Sequence, residues 1–142
     1  DVLSNDAALS AWCVDQFGRE PLICLEIDEN NPPSADDYPL VAVIGIGERR
    51  GVDSRLQVFE VEMGYALLND EIAVSGSVRT CTGRLQVETL RTYAENAIFR
   101  GAVIASAEGE SISLTDFPEF VTLSRMTLKF ERSRRQAFTK QL

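Results

Sequence analysis

Two neighbouring segments, Tyr38–Gly47 and Arg55–Leu68, limit the folds open to this chain more than any other feature. The first is nearly continuous in apolar residues (Leu40, Val41, Ala42, Val43, Ile44, Ile46), the pattern of a central strand covered on both faces. At ten residues, with Pro39, Gly45 and Gly47 inside it, it falls short of the roughly 20 apolar residues that cross a bilayer. The second alternates: Phe59, Val61, Met63, Tyr65 and Leu67 share one face, and Glu60 and Glu62 the other. Leu56 and Val58 are out of phase with that face, which predicts a bulge near Val58-Phe59. Glu48–Ser54, charged and containing Gly51, reads as the turn that joins the two strands into a hairpin.

The flanking sequence supplies two helices and further strands. Residues 4–17 predict a helix capped by Ser4 or Asn5, with Leu9, Trp12, Cys13 and Phe17 on one face and Gly18 at its end. Leu22–Asp28 is a short strand, stopped by the polar Glu29–Asp37 stretch around Pro32-Pro33. Segment 69–82 is a loop or an extended arm. Arg84–Arg100 is the strongest helix, with Val87, Leu90, Ala94, Ala97, Ile98 and Gly101 in one stripe and Arg84–Glu88 and Arg91–Glu95 as surface pairs. An Ala/Glu/Gly/Ser connection then leads to a last strand, Glu119–Glu131, which changes phase from Val121 and Leu123 to Met126, Leu128 and Phe130. A right-handed crossover would set that strand parallel to Arg55–Leu68.

The expectation is an α+β fold: a small, antiparallel-dominated mixed sheet of about four strands with two helices packed on one face. The 142 residues suit one domain, placed at 1–131, followed by a basic tail at 132–142. Its core should contain Trp12, Phe17, Val43, Ile44, Phe59, Val61, Leu90, Ile98, Leu123, Met126 and Leu128. The opening residues do not read as a signal peptide.

Charge divides the chain. Of its net −8, the whole excess lies in residues 1–40, with nine acids against Arg19, while residues 41–142 carry thirteen of each sign. The end reverses: Arg125, Lys129, Arg132, Arg134, Arg135 and Lys140 stand against Glu131 after position 120. An acidic first third disfavours tight nucleic-acid binding, which neutralises phosphates with Lys and Arg. Apart from Phe138 no aromatic accompanies the tail bases, so an acidic protein surface suits them better than phosphate.

Catalytic equipment is sparse. Without histidine the commonest general base and metal ligand is missing. Cys13, Cys24 and Cys81 are too scattered for a CxxC-type metal site; the first two read as small buried hydrophobes, Cys81 as the accessible one, and a reducing compartment is the simplest setting. Gly45-Ile46-Gly47 follows a strand as a dinucleotide loop does, but strand periodicity rather than a helix comes next. The acids Glu26, Asp28, Glu29, Asp36 and Asp37 read as a solvated acidic loop. No enzyme signature, cofactor site or metal site emerges. Arg125, Lys129 and Glu131 on one strand, and Glu60 and Glu62 on another, leave two readings open: a wet face, or a seam between subunits.

Several of these segments together resemble the tail terminator proteins of long-tailed, lambda-like bacteriophages. The resemblance runs over residues 4–131: an N-terminal helix, Leu22-Ile23-Cys24-Leu25-Glu26-Ile27-Asp28, an acidic stretch, and Asp37-Tyr38-Pro39-Leu40-Val41-Ala42-Val43. This last segment is similar to the family's acidic–aromatic–proline–aliphatic entry into its central strand. The long Arg55–Leu68 strand, the amphipathic helix and the closing Phe120–Phe130 strand follow in the family's order. Segment 69–82 and the tail after Phe130 depart from it.

The resemblance implies a non-enzymatic virion protein, assembled in the host cytoplasm. It would form a homohexameric ring on the tail tube, stop tube polymerisation and offer a docking surface to the head. Its partners would be itself, the tail tube protein and a head-completion or connector protein, with no membrane, and with DNA passing through without specific binding. Contacts between protomers are expected at Glu48, Arg49, Arg50, Arg55, Arg132, Arg134 and Arg135 on the chain's own features: the tail bases follow a strand and cannot help the core, and the 48–54 turn caps an unusually long strand. Asp28, Glu29, Asp36 and Asp37 are expected on an acidic lumen or partner surface. Another ring of the phage neck or tail, or a small non-viral protein-binding domain, are the alternatives.

Overall fold

The computed structural model describes residues 2–27, 30–49, 56–101 and 106–131. The first helix, α1 (Ala7–Phe17), begins where Asp6, in extended backbone, accepts a hydrogen bond from the Leu9 N–H at 2.9 Å. The cap is thus Asp6 rather than Ser4 or Asn5, and it has a second role: Arg100 reaches it at 2.8 Å from the far end of the other helix. Gly18 closes α1 in the left-handed conformation (φ +73°), which a side chain would resist. Strand β1 (Leu22–Leu25) is shorter than its apolar run because Glu26 turns into positive φ. Ser34 then opens a short 3₁₀ turn, Ala35–Asp37, its N–H held by the Asp37 carboxylate at 2.7 Å.

The two defining strands form as the sequence predicts: β2 (Leu40–Arg49) pairs antiparallel with β3 (Leu56–Leu68). The bulge, however, lies in β2 between Val43 and Gly45, and β3 runs in unbroken register against its other neighbour. Segment 69–82 is a hairpin, β4 (Ile72–Ser75) with β5 (Val78–Cys81), turned at Gly76 (φ +61°) and Ser77. Helix α2 (Thr82–Gly101) follows directly. The connection after it holds a strand that sequence analysis missed, β6 (Ser106–Asp116), joined through Phe117-Pro118 to β7 (Glu119–Glu131).

Among the described residues the main sheet therefore has five strands, ordered β1-β2-β3-β7-β6, with only the β1–β2 pair parallel. The fold is α+β, with one strand more than expected and a separate two-stranded sheet. The expected parallel alignment of Glu119–Glu131 with β3 is wrong: the pair is antiparallel. The strand that returns from α2 is β6, and it does run in the direction of β3. β7 then reverses and inserts between them, so the crossover through α2 relates β3 to β6 and not to β7.

Both helices cover one face. Val41, Met63, Tyr65, Leu67, Phe120, Met126 and Leu128 on that face meet Leu9 and Cys13 of α1 and Val87, Leu90, Ala94 and Ala97 of α2. Trp12 stacks on Tyr93 with ring centroids 5.4 Å apart, so it joins the two helices. Of the expected core, Leu90, Met126 and Leu128 are buried, and Trp12, Phe17, Val43, Phe59, Val61, Ile98 and Leu123 are half-buried. Ile44 is the correction: the bulge beside it turns its side chain onto the helix-free face, where it is 43% exposed. Cover on both faces of β2 ends there, and Ile46 is 68% exposed. Among the described residues no helix is long and apolar enough to cross a membrane.

Candidate docking surface

The helix-free face of the sheet carries the exposed side chains of Ile44, Ile112 and Leu114. Its centre is made of small residues, Ala42, Gly64 and Ala66, across which larger side chains lie. A β-carbon on Gly64 would stand 3.2 Å from Ile44 and 3.6 Å from Leu123, so these two cover that position. Because β6 pairs Ile112 with Leu123 and Glu110 with Arg125, even-numbered residues of β6 share this face. The result is a groove of about 430 Å³ lined by Ile44, Glu62, Glu110, Ile112, Leu123 and Arg125. Ile112 and Leu114 are 61% and 52% exposed, on a face where a strand with one solvated side ordinarily carries polar residues.

Charge surrounds that apolar floor. Arg125 donates through Nε and Nη2 to one oxygen of Glu62, at 3.1 and 2.6 Å, so acid and base from two strands meet inside one chain. Lys129 stands 4.0 Å from Glu108. The residues suspected of forming a seam between subunits thus sit on one face and partly pair among themselves. Among the described side chains, six acids (Glu60, Glu62, Glu108, Glu110, Asp116, Glu119) and two bases (Arg125, Lys129) share the face, which makes that set acidic.

The opposite side of β6 meets α2 through a polar cluster. Glu88 accepts hydrogen bonds from Ser113 and, at 3.1 Å, from Thr122, and pairs with Arg91, which also holds Glu95 at 3.0 Å. Burial pushes the Glu88 carboxyl up, but bonds from Ser113, Arg91 and Thr122 outweigh it and hold the group below the usual range. Arg91–Glu95 forms as expected; Glu88 turns to the sheet instead of pairing with Arg84. Burial pushes the Cys13 thiol up to about 12, which leaves it an inert core residue. Cys24 and Cys81 are both half-buried, so neither is the deep or the exposed thiol that sequence analysis expected.

A second exposed apolar feature is the β4–β5 hairpin. All four residues of β4 are exposed, and Ile72, Val74 and Val78 are 47%, 65% and 61% exposed.

Of the residues expected at an interface, Glu48 is exposed at the end of β2 and accepts from Gln57 at 2.8 Å. Arg49 is the last residue of β2, opposite Val58. Arg50, Arg55, Arg132, Arg134 and Arg135 lie outside the described residues, as do Asp28 and Glu29. Asp36 is exposed, and Asp37 is half-buried with its carboxylate taken up by Ser34. Among the described residues no group of three His, Cys, Asp or Glu could hold a metal ion. The exposed floor of Ile112 and Leu114 escaped sequence analysis. The available signal was the alternation in Ala107, Gly109, Ser111, Ser113 and Thr115 against Glu108, Glu110, Ile112 and Leu114, ahead of a Phe-Pro turn.

No protein-family model matches the chain, and no curated protein matches its sequence.

Proposed function

We propose that this chain is a non-catalytic structural protein of the phage tail terminator kind. Its copies close into a six-fold ring on the end of the tail tube, stop the tube from growing and present a surface to the head-side connector. The observation that carries the reading is the helix-free sheet face, where exposed Ile112 and Leu114 sit within a rim of acids. Apolar side chains framed by charge are the composition of a protein interface rather than of a wet surface. The acidic excess of residues 1–40, at Asp28, Glu29, Asp36 and Asp37 among others, would supply the wall of a passage that DNA moves through without adhering. Two features that depart from the family order, the hairpin and the basic tail, supply further contacts between protomers.

The test is mass in solution and tail length. The full chain is expected to form a discrete ring, while deletion of residues 132–142, or Arg134→Glu with Arg135→Glu, shifts it to smaller species and gives tails of irregular length. A chain that stays monomeric at high concentration, or tails of normal length with both variants, would refute this reading.

A further inference from the structure

β6 is the outermost strand of the sheet, eleven residues long and exposed along nearly its whole length, and no strand among the described residues pairs with its outer side. Such an edge is a template for an added strand. Glu108, Glu110, Ile112, Leu114 and Asp116 lie on its helix-free face, and the small residues Ala107, Gly109, Ser111, Ser113 and Thr115 on the other. The chain after β7 has the complementary alternation. Arg132, Arg134, Gln136, Phe138 and Lys140 fall on one parity, and Ser133, Arg135, Ala137 and Thr139 on the other.

We propose that residues 132–140 of a second copy of this chain add as a strand along the outer side of β6, running parallel to it. The pairing sets Arg132 beside Glu108, Arg134 beside Glu110, Phe138 beside Leu114 and Lys140 beside Asp116. It rests on the ring reading in that it names the surface which the basic tail meets. In this register three basic side chains meet three acids and the aromatic meets the apolar floor. Sliding the segment by two residues either way leaves one such charge pair, and antiparallel registers give at most two. Glu108 has room for the partner, since Lys129 stands only at the 4.0 Å limit of an ion pair with it.

The register excludes the chain's own tail. Lys129 lies opposite Ser106, so Glu131 lies at the starting end of β6, beyond Ser106. From there to a position outside β6 beside Glu108 is two strand spacings across and about four residues along, together about 16 Å. Residues 131 and 132 are consecutive, and their Cα atoms stand about 3.8 Å apart. The added strand must come from another molecule, and repetition of that contact from copy to copy is head-to-tail, the kind that closes a ring.

The test uses the full chain carrying p-benzoylphenylalanine at position 138, in an equal mixture of light and isotope-heavy copies. Irradiation should link position 138 of one copy to the peptide around Ile112–Asp116 of the other, seen as mixed heavy–light pairs. Links confined to one copy, or to another surface, would overturn the pairing. In parallel, Glu108→Arg with Glu110→Arg should weaken assembly roughly tenfold or more. Adding Arg132→Glu and Arg134→Glu to the same chain should restore it, while Arg135→Glu alone, on the other parity, should change it little. Assembly that survives the β6 reversals overturns the pairing and leaves the ring reading in place; a chain monomeric at every concentration overturns both.

Discussion

Gly83, in the first turn of α2, is buried against the Phe120 ring, and a β-carbon there would fall inside the ring's contact distance. Phe120 is itself buried and cannot swing aside. Gly83→Ala should therefore destabilise the fold by about 1–3 kcal/mol despite its gain in helix propensity, checked by urea unfolding. Asp6 and Glu88 carry the pH dependence. The Leu9 N–H and Arg100 hold Asp6 below the usual carboxylate range, and Glu88 is held there by Ser113, Arg91 and Thr122. Both carboxyls thus have lower values folded than unfolded. Their contribution is complete above the unfolded values of about 3.9 and 4.3 and disappears as pH falls through the folded ones. Urea midpoints should be level near neutrality and fall below about pH 4.5. Glu88→Gln should flatten part of that fall, by about 1 kcal/mol or less given how much of the carboxylate faces solvent.

Elements here differ in how far the core supports them. β3 and β7 are buried between neighbours, and α2 contributes Val87, Leu90, Ala94 and Ala97 to the shared core. The β4–β5 hairpin has little such support beyond Cys81, and an isolated two-stranded hairpin is marginal in water. Val74→Ser and Val78→Ser should accordingly change stability by less than about 0.5 kcal/mol. Amides of residues 72–80 should exchange among the fastest of the paired strands in the dissociated protein. If the hairpin is a contact between protomers, the same amides should slow on assembly and both variants should weaken the ring. Unchanged exchange on assembly would place the contacts elsewhere.

At the scale of the whole molecule, the helices and the open sheet give the protein two unlike sides. One carries the core. The other presents apolar side chains within a rim of charge, and in the pairing proposed above its acids would meet basic side chains of a second copy. Contacts of that kind are screened over roughly 8–10 Å at physiological ionic strength. Mass measured from low to high salt should therefore fall from ring to smaller species. Assembly that strengthens with salt would mark an interface that is apolar throughout, centred on Ile112 and Leu114.

Local pattern was enough to read α1, α2, the β2–β3 hairpin and the bounds of Glu119–Glu131, because each repeats at the period of its own backbone over a dozen residues or so. The absence of any motif built around histidine or paired cysteines was equally plain. β6 was not readable in that way: Ser, Gly and Glu have low strand propensity, and its order comes from β7 and from Ser113 bonding to Glu88. The placement of Ile44 on the open face depends on a bulge whose position only the pairing of β2 with β3 decides. Val121 and Leu123, read as a phase change, face the open side of an unbroken strand whose other face carries Phe120, Met126 and Leu128. The residues alone determined both helices and the strands β1, β2, β3 and β7, whose apolar pattern is local; the insertion of β7 between β3 and β6, a choice among non-local pairings, decided that 106–116 became a strand, which face stayed open and which strand became the edge.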